Sequence, residues 1–202
     1  MNISLFTGGL VQTNGYLIEA PSGHLLIDAP AGVVEWMNIK GVRPTDVLLT
    51  HQHYDHVEDV AALHRLGARI HAFANYSEAL TLEQSARNWG MPISIQPYEV
   101  NHLLVPGATL RLHGFAIEIA HVPGHSVDSV TFNFVEEGVL FSGDTLFAQS
   151  IGRFDLPNGD GDLLLKGIAE KLLTLPPETR VFPGHGPSTT IGREIRQNPY
   201  LQ

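Results

Sequence analysis

The stretch Thr50-His51-Gln52-His53-Tyr54-Asp55-His56 places three imidazoles and a carboxylate within six positions, directly after the apolar run Val47-Leu48-Leu49. Several neutral nitrogens and one anion projected into a small volume are what a borderline-soft divalent cation such as zinc asks for. His51 and His53 are two apart, so in extended chain they face the same side. Asp55 and His56 fall just past them, where the chain turns toward the helical pattern running from Val57 to Leu66. Two of these four candidates can therefore point at one ion and two at a neighbour. An exposed, histidine-rich loop would not need this spacing or this place at a strand end.

Three further segments repeat the device. Val122-Pro123-Gly124-His125-Ser126 follows an apolar stretch, Phe141-Ser142-Gly143-Asp144-Thr145 follows Gly138-Val139-Leu140, and Val181-Phe182-Pro183-Gly184-His185-Gly186 follows a helical segment and a short strand. Each time a strand delivers one ligand-type residue on a turn whose glycine lets backbone approach an ion closely. His51, His53, His56, His125, His185, Asp55 and Asp144 exceed the needs of one tetrahedral ion and suit two, with Asp144 bridging. His24, His64, His71, His102, His113 and His121 have no comparable setting and read as packing or surface residues.

The elements needed to hold these groups are legible as an alternation. Ile3 to Phe6, Tyr16 to Glu19 and His24 to Asp28 read as strands, with Gly8-Gly9, Asn14-Gly15 and Pro21-Ser22-Gly23 as turns. Val33 to Ile39 is a short helix, Val47 to Leu49 a buried strand, Arg69 to Ala72 a strand, and Tyr76 to Trp89 has helical periodicity. In the second half Thr109 to Leu112, Ile117 to His121, Val130 to Phe134 and Val139 to Phe141 are strands, with a hairpin turn at Glu136-Glu137-Gly138. Leu163 to Leu173 is an amphipathic helix stopped by Pro176-Pro177. Two sheet halves with outer helices are consistent with an α/β, four-layer αβ/βα sandwich.

The 202 residues contain no Pro-, Ser- or charge-rich linker, so one domain over 1–202 is expected. Hydrophobic residues at 43% suit an ordinary core, and the absence of cysteine removes disulfides and thiolate ligands and fits a cytoplasmic protein. Met1 to Leu17 lacks a basic start and is interrupted by glycines, so it reads neither as a signal peptide nor as a membrane span. A net charge of −9 argues against a nucleic-acid surface. The expected partner is a small molecule.

Asp28 in Leu26-Ile27-Asp28-Ala29-Pro30, the His51 to His56 run, His125, Asp144 and His185 stand in the order of the five motifs of the metallo-β-lactamase superfamily. The chain resembles that superfamily over nearly its whole length, and more closely its short glyoxalase II-like branch. Ile151-Gly152-Arg153-Phe154-Asp155-Leu156-Pro157 and Thr189-Thr190-Ile191-Gly192-Arg193-Glu194 are similar to that branch in particular. The resemblance implies the αβ/βα sandwich independently, with the metals at one edge between the sheets. It implies that His51, His53 and His125 hold one metal, Asp55, His56 and His185 a second, and that Asp144 bridges. It makes Asp28 an orienting group behind the metal loop, where an isolated reading would make it an ordinary turn residue.

The implied activity is metal-dependent hydrolysis of thioesters of the S-lactoylglutathione (hydroxyacylglutathione) type. A hydroxide held between two divalent ions, zinc first and iron or manganese next, would attack the carbonyl. Asp55 or Asp144 would hold or receive its proton, and a thiolate leaves without a strong acid. A helical C-terminal domain of the kind with which full-length glyoxalase II grips glutathione is not expected. Arg153 is either a surface arginine or a cation at the mouth of the site. Two other activities stay open: a mononuclear-iron persulfide dioxygenase, whose Gly-Arg-Thr-Asp motif Gly152-Arg153-Phe154-Asp155 resembles, and hydrolysis of another ester or lactone. Tyr54, Thr50 and Ser142 can be packing residues or contributors to the site.

Overall fold

A computed structural model of the protein describes residues 1–20 and 22–202. Among them the chain divides into two compact units, Met1–Leu104 and Val105–Gln202.

The first unit is built on a six-stranded sheet. β1 (Asn2–Gly8), β2 (Thr13–Ala20) and β3 (Gly23–Ile27) are antiparallel neighbours, and β4 (Asp46–Leu48), β5 (Arg69–Ala72) and β6 (His102–Leu103) continue it in parallel. The parallel strands need crossovers, which α1 (Val33–Lys40), α2 (Tyr54–Val57), α3 (Val60–Arg65), α4 (Glu78–Thr81) and α5 (Glu83–Asn88) supply. Their apolar faces meet the sheet in a core that includes Leu17, Leu26, Val47, Leu49, Val60 and Ile70. The strand run Val47-Leu48-Leu49 is wholly buried, so its end is rigid where the histidine cluster begins.

Three expectations are corrected here. Asn14-Gly15 is not a turn but lies inside β2, opposite Phe6 and Thr7 of β1. Gly15 serves a close approach, because a side chain there would press on Pro30 and the Asp28 carbonyl. The helical pattern from Val57 to Leu66 is also split. α2 begins at Tyr54, which puts Asp55 and His56 in a helical turn, and the chain breaks at Glu58-Asp59. Ala29 enters that break, donating its N–H to the His56 carbonyl at 2.8 Å and accepting from the Asp59 N–H at 3.0 Å. The Tyr76 to Trp89 pattern is divided likewise at Leu82, which has a left-handed backbone. The expected turn Pro21-Ser22-Gly23 includes Pro21, which lies outside the described residues.

The second unit carries another six-stranded sheet. β7 (Thr109–Leu112), β8 (Phe115–His121), β9 (Val130–Phe134) and β10 (Val139–Gly143) form an antiparallel meander. β11 (Leu146–Phe147) and β12 (Ser150–Ile151) make a separate small hairpin. β13 (Arg180–Pro183) lies parallel to β10, and β14 (Thr189–Thr190) pairs with β13 at the edge. α6 (Gly161–Gly167) runs on as one π-helical turn, Ile168–Leu172, and α7 (Ile191–Gln197) closes the unit. Val122, Leu140, Leu164, Ile168, Val181 and Ile191 form a core under these helices. Phe134 bridges Phe115 and Phe141 with edge-on rings at 5.3 and 5.4 Å, a geometry that aromatic quadrupoles favour.

Candidate metal centre

In the first unit β4 ends at Leu48, and Thr50 to His56 follow as a short extended run leading into α2. His51, His53, Asp55 and His56 are all at least nine-tenths buried. The ring of His51 lies 4.6 Å from that of His53 and 4.1 Å from that of His56, so the three imidazoles converge. Asp55 Oδ2 stands 3.4 Å from His56 Nε2.

The surrounding hydrogen bonds decide which ring nitrogen each histidine presents. Asp28, left-handed at φ 56° just past β3, accepts from the Thr50 N–H at 2.8 Å, the Thr50 hydroxyl at 2.7 Å and His56 Nδ1 at 2.8 Å. A carboxylate can only accept there, so His56 carries its proton on Nδ1 and keeps Nε2 as a lone-pair donor. The Thr50 hydroxyl has one proton and gives it to Asp28. At 3.1 Å from His51 Nδ1 it must then accept, which sets the same tautomer on His51. One buried aspartate thus orients two histidines, one of them through a threonine.

Thr13 and Gln52 carried no signal in the sequence. The Thr13 hydroxyl, from the start of β2, donates to Asp55 Oδ2 at 2.6 Å and needs that carboxylate as an acceptor. Gln52 points away from the histidines: its amide donates to the Ala74 carbonyl at 3.0 Å and its oxygen accepts from the Tyr98 hydroxyl at 2.8 Å. Tyr54 packs in the core with its hydroxyl on Met91 Sδ at 3.4 Å, so it fixes the loop. Burial pushes the Glu58 carboxyl up to about 6 against the pull of the Ala31 N–H, with Asp55 adding repulsion.

In the second unit His125 follows β8 beyond Pro123-Gly124, Asp144 follows β10, and His185 follows β13. Asp144 Oδ2 lies 3.5 Å from His125 Nε2 and 3.4 Å from His185 Nε2. His125 donates from Nδ1 to the Arg153 carbonyl at 2.8 Å, so Nε2 again faces the carboxylate as a lone-pair donor. Gly152 precedes it, and any side chain there would collide with the Asp144 carbonyl oxygen. The Arg153 guanidinium is exposed and makes a two-point pair with Asp155 at 2.7 and 2.9 Å, which holds the Asp155 carboxyl below its usual range. A recess of about 410 Å³ is lined by Ser150 to Asp155 and Tyr200.

The carboxylate–imidazole separations test whether a metal fits each unit. Direct charge-assisted hydrogen bonds would measure about 2.7–2.9 Å. Two ligands each about 2.1 Å from one tetrahedral ion stand about 3.4 Å apart. The three separations, one at Asp55 and two at Asp144, are 3.4, 3.5 and 3.4 Å. Histidine nitrogen and carboxylate oxygen in this spacing are a donor set for divalent metal.

The metallo-beta-lactamase superfamily model matches residues 8–185. The chain belongs to that superfamily. It is 35% identical to the hydroxyacylglutathione hydrolase GloC of Haemophilus influenzae, over all of this chain and 98% of GloC. Among solved structures, TTHA1623 in a di-iron-bound form is 40% identical with a TM-score of 0.87, covering 98% of this chain and 100% of that one. The B3 metallo-beta-lactamase BLEG-1 is 36% identical with a TM-score of 0.88, covering 99% of each. The metallo-β-lactamase fold expected from the motifs is therefore the fold of this chain, which is a metallo-hydrolase of the superfamily. No helix among its described residues is long and apolar enough to cross a membrane.

Proposed function

We propose that this metallo-hydrolase cleaves thioesters of the hydroxyacylglutathione type with two divalent ions, zinc in the first instance. His51, His53 and His125 would hold one ion, Asp55, His56 and His185 the other, and Asp144 both. The observation that carries the metal reading is the repeated spacing of 3.4–3.5 Å between carboxylate and imidazole. The 35% identity to GloC over the whole chain supports the thioester. Ions bound there would polarise a carbonyl and lower the pKa of water from 15.7 to about 7.

The chain's own residues supply orientation and proton handling. Asp28, Thr50 and the Arg153 carbonyl keep Nε2 of three histidines deprotonated, which metal binding requires. Thr13 anchors Asp55 by donating to its carboxylate, which would take a proton from the attacking group. Arg153, at the recess beside Gly152, would attract a carboxylate on the substrate in competition with Asp155.

Metal analysis of the purified protein with a substrate panel tests the reading. The panel contains S-lactoylglutathione, a truncated thioester, a lactone, a chromogenic cephalosporin and glutathione persulfide with an oxygen electrode. Two equivalents of metal and highest kcat/KM on the glutathione thioester are expected. Preference for the cephalosporin would transfer the assignment to β-lactam hydrolysis, the activity in BLEG-1's name. Oxygen uptake with one iron would transfer it to persulfide oxidation. Either result overturns the thioester.

A further inference from the structure

The segment Thr189-Thr190-Ile191-Gly192-Arg193-Glu194 ends on a carboxylate with no exposed surface. Glu194 sits on α7 and accepts three hydrogen bonds: from the Thr189 hydroxyl at 2.5 Å, the Gln149 N–H at 2.7 Å and Asn198 Nδ2 at 2.9 Å. A buried carboxylate satisfied only by neutral donors is costly to desolvate, and one capping its own helix would not need a donor 45 residues away. Gln149 is the tip of the β11–β12 hairpin and is held at φ 59°, a left-handed conformation that a non-glycine residue adopts at a cost. Asn198, also without exposed surface, reaches the same hairpin by donating to the Ser150 carbonyl at 3.0 Å.

The hairpin runs directly into the metal loops of this unit. After β12 the Gly152 N–H donates to the Thr145 carbonyl at 3.1 Å, and its α-carbon lies against the Asp144 carbonyl. The next carbonyl, that of Arg153, takes the proton of His125 Nδ1. From Glu194 to His125 every link is a hydrogen bond or a short piece of backbone.

We propose that Glu194 is a positioning residue for His125 and Asp144. With Asn198 it buckles α7 onto the 149–153 hairpin, setting the height of the Arg153 carbonyl and hence the aim of the His125 ring. The consequence for metal rests on the proposed ligand roles of His125 and Asp144; the consequence for the ring does not.

The test uses Glu194→Leu, which abolishes acceptance, and Glu194→Gln, which keeps one oxygen for the Gln149 N–H while the Thr189 hydroxyl turns to accept. Asn198→Ala removes the Ser150 link together with the Asn198 bonds to Glu194 and the Tyr200 N–H, keeps the Gln149 and Thr189 bonds to Glu194, and serves if Glu194→Leu fails to fold. Ile191→Ala, a core residue of the same helix without a bond to the hairpin, controls for simple destabilisation. The first readout is the His125 ring N–H in the metal-free, ¹⁵N-histidine-labelled full chain, assigned through its loss in His125→Gln. The second is zinc affinity by chelator competition. Glu194→Leu and Asn198→Ala should shift or broaden the ring proton and weaken zinc, Glu194→Leu by about 10–100-fold, the usual effect of losing an orienting partner. Glu194→Gln should restore both to near wild type, and Ile191→Ala should lower only the melting temperature. A ring signal and zinc affinity unchanged in Glu194→Leu and Asn198→Ala would overturn the proposal. A ring shift without any change in zinc affinity would uphold the buckle and instead remove His125 from the metal set.

Discussion

Replacing Asp28 by asparagine tests whether ring tautomers prepare the metal centre. Asparagine keeps the shape, keeps one oxygen for the Thr50 N–H and tolerates the left-handed backbone at φ 56°. Its amide nitrogen replaces Oδ2, which accepts from both the Thr50 hydroxyl and His56 Nδ1. The threonine hydroxyl can rotate and accept. The His56 proton cannot stay on Nδ1 against an N–H donor, so it moves to Nε2, the atom 3.4 Å from Asp55. Bonds to a charged partner contribute about 1.5–3 kcal/mol and neutral ones about 1, so exchanging two of them costs about 2–3 kcal/mol of stability. For a chain of this length that is a melting-temperature drop of about 4–12 °C in the metal-free form. Zinc binding must additionally displace the new Nε2 proton, and affinity should fall about 10–100-fold. Asp28→Ala is the informative contrast. It should lose more stability, because three donors lose their acceptor and alanine is strained there, yet leave the His56 tautomer uninverted, since water can take the Nδ1 proton. Long-range ¹H–¹⁵N spectra report the tautomer, and competition with a chromophoric chelator reports the affinity. If Asp28→Asn kept the Nδ1 proton on His56 and bound zinc as tightly as wild type, the tautomer argument would be refuted.

Asp144→Ala should lose metal and turnover together, as its carboxylate faces both His125 and His185; a variant with two metals and full activity would contradict the shared ligand. Arg153→Ala should raise KM for anionic thioesters with little change in melting temperature, and Arg153→Lys should spare most of that binding. Equal effects on neutral and anionic substrates would assign the side chain a structural role instead. His71 is held neutral by burial, which outweighs its bond to Asp46 and lowers its pKa. Its folded pKa lies below the unfolded value, so the stability it contributes is present above about pH 6.5 and is lost as pH falls through that value toward the folded pKa. Thermal melts of metal-free wild type and His71→Gln between pH 7.5 and 5 should show a shallower acid decline in the variant, and identical slopes would exclude His71 as the source.

How much was legible in the sequence differs between the candidate ligands, whose metal role stays a proposal, and the groups that aim them. His51, His53, Asp55 and His56 were readable because one buried strand and the turn after it deliver them within a single short run. His125, Asp144 and His185 were readable because each follows an apolar strand on a glycine-bearing turn. Those are local rules, obeyed by residues a few positions apart. Asn14-Gly15 misled for the same reason: a dipeptide typical of turns sits inside β2 because Pro30, far along the chain, needs the space a side chain would fill.

The alternation of strands and helices and the chemistry of a divalent metal were set by the order and types of residues alone. Which nitrogen each histidine offers was not, because the proton's place depends on an acceptor distant in the chain. His56 is governed by Asp28, 28 positions away, and His125 by the Arg153 carbonyl, again 28 away. Asp55 is held by Thr13 across 42 positions and Gln52 by Tyr98 across 46. A threonine, a tyrosine or a backbone carbonyl has no sequence signature as an orienting group, since any position can carry one. Only the folded chain, by bringing one of them within 3 Å of a candidate ligand, makes it part of the candidate centre.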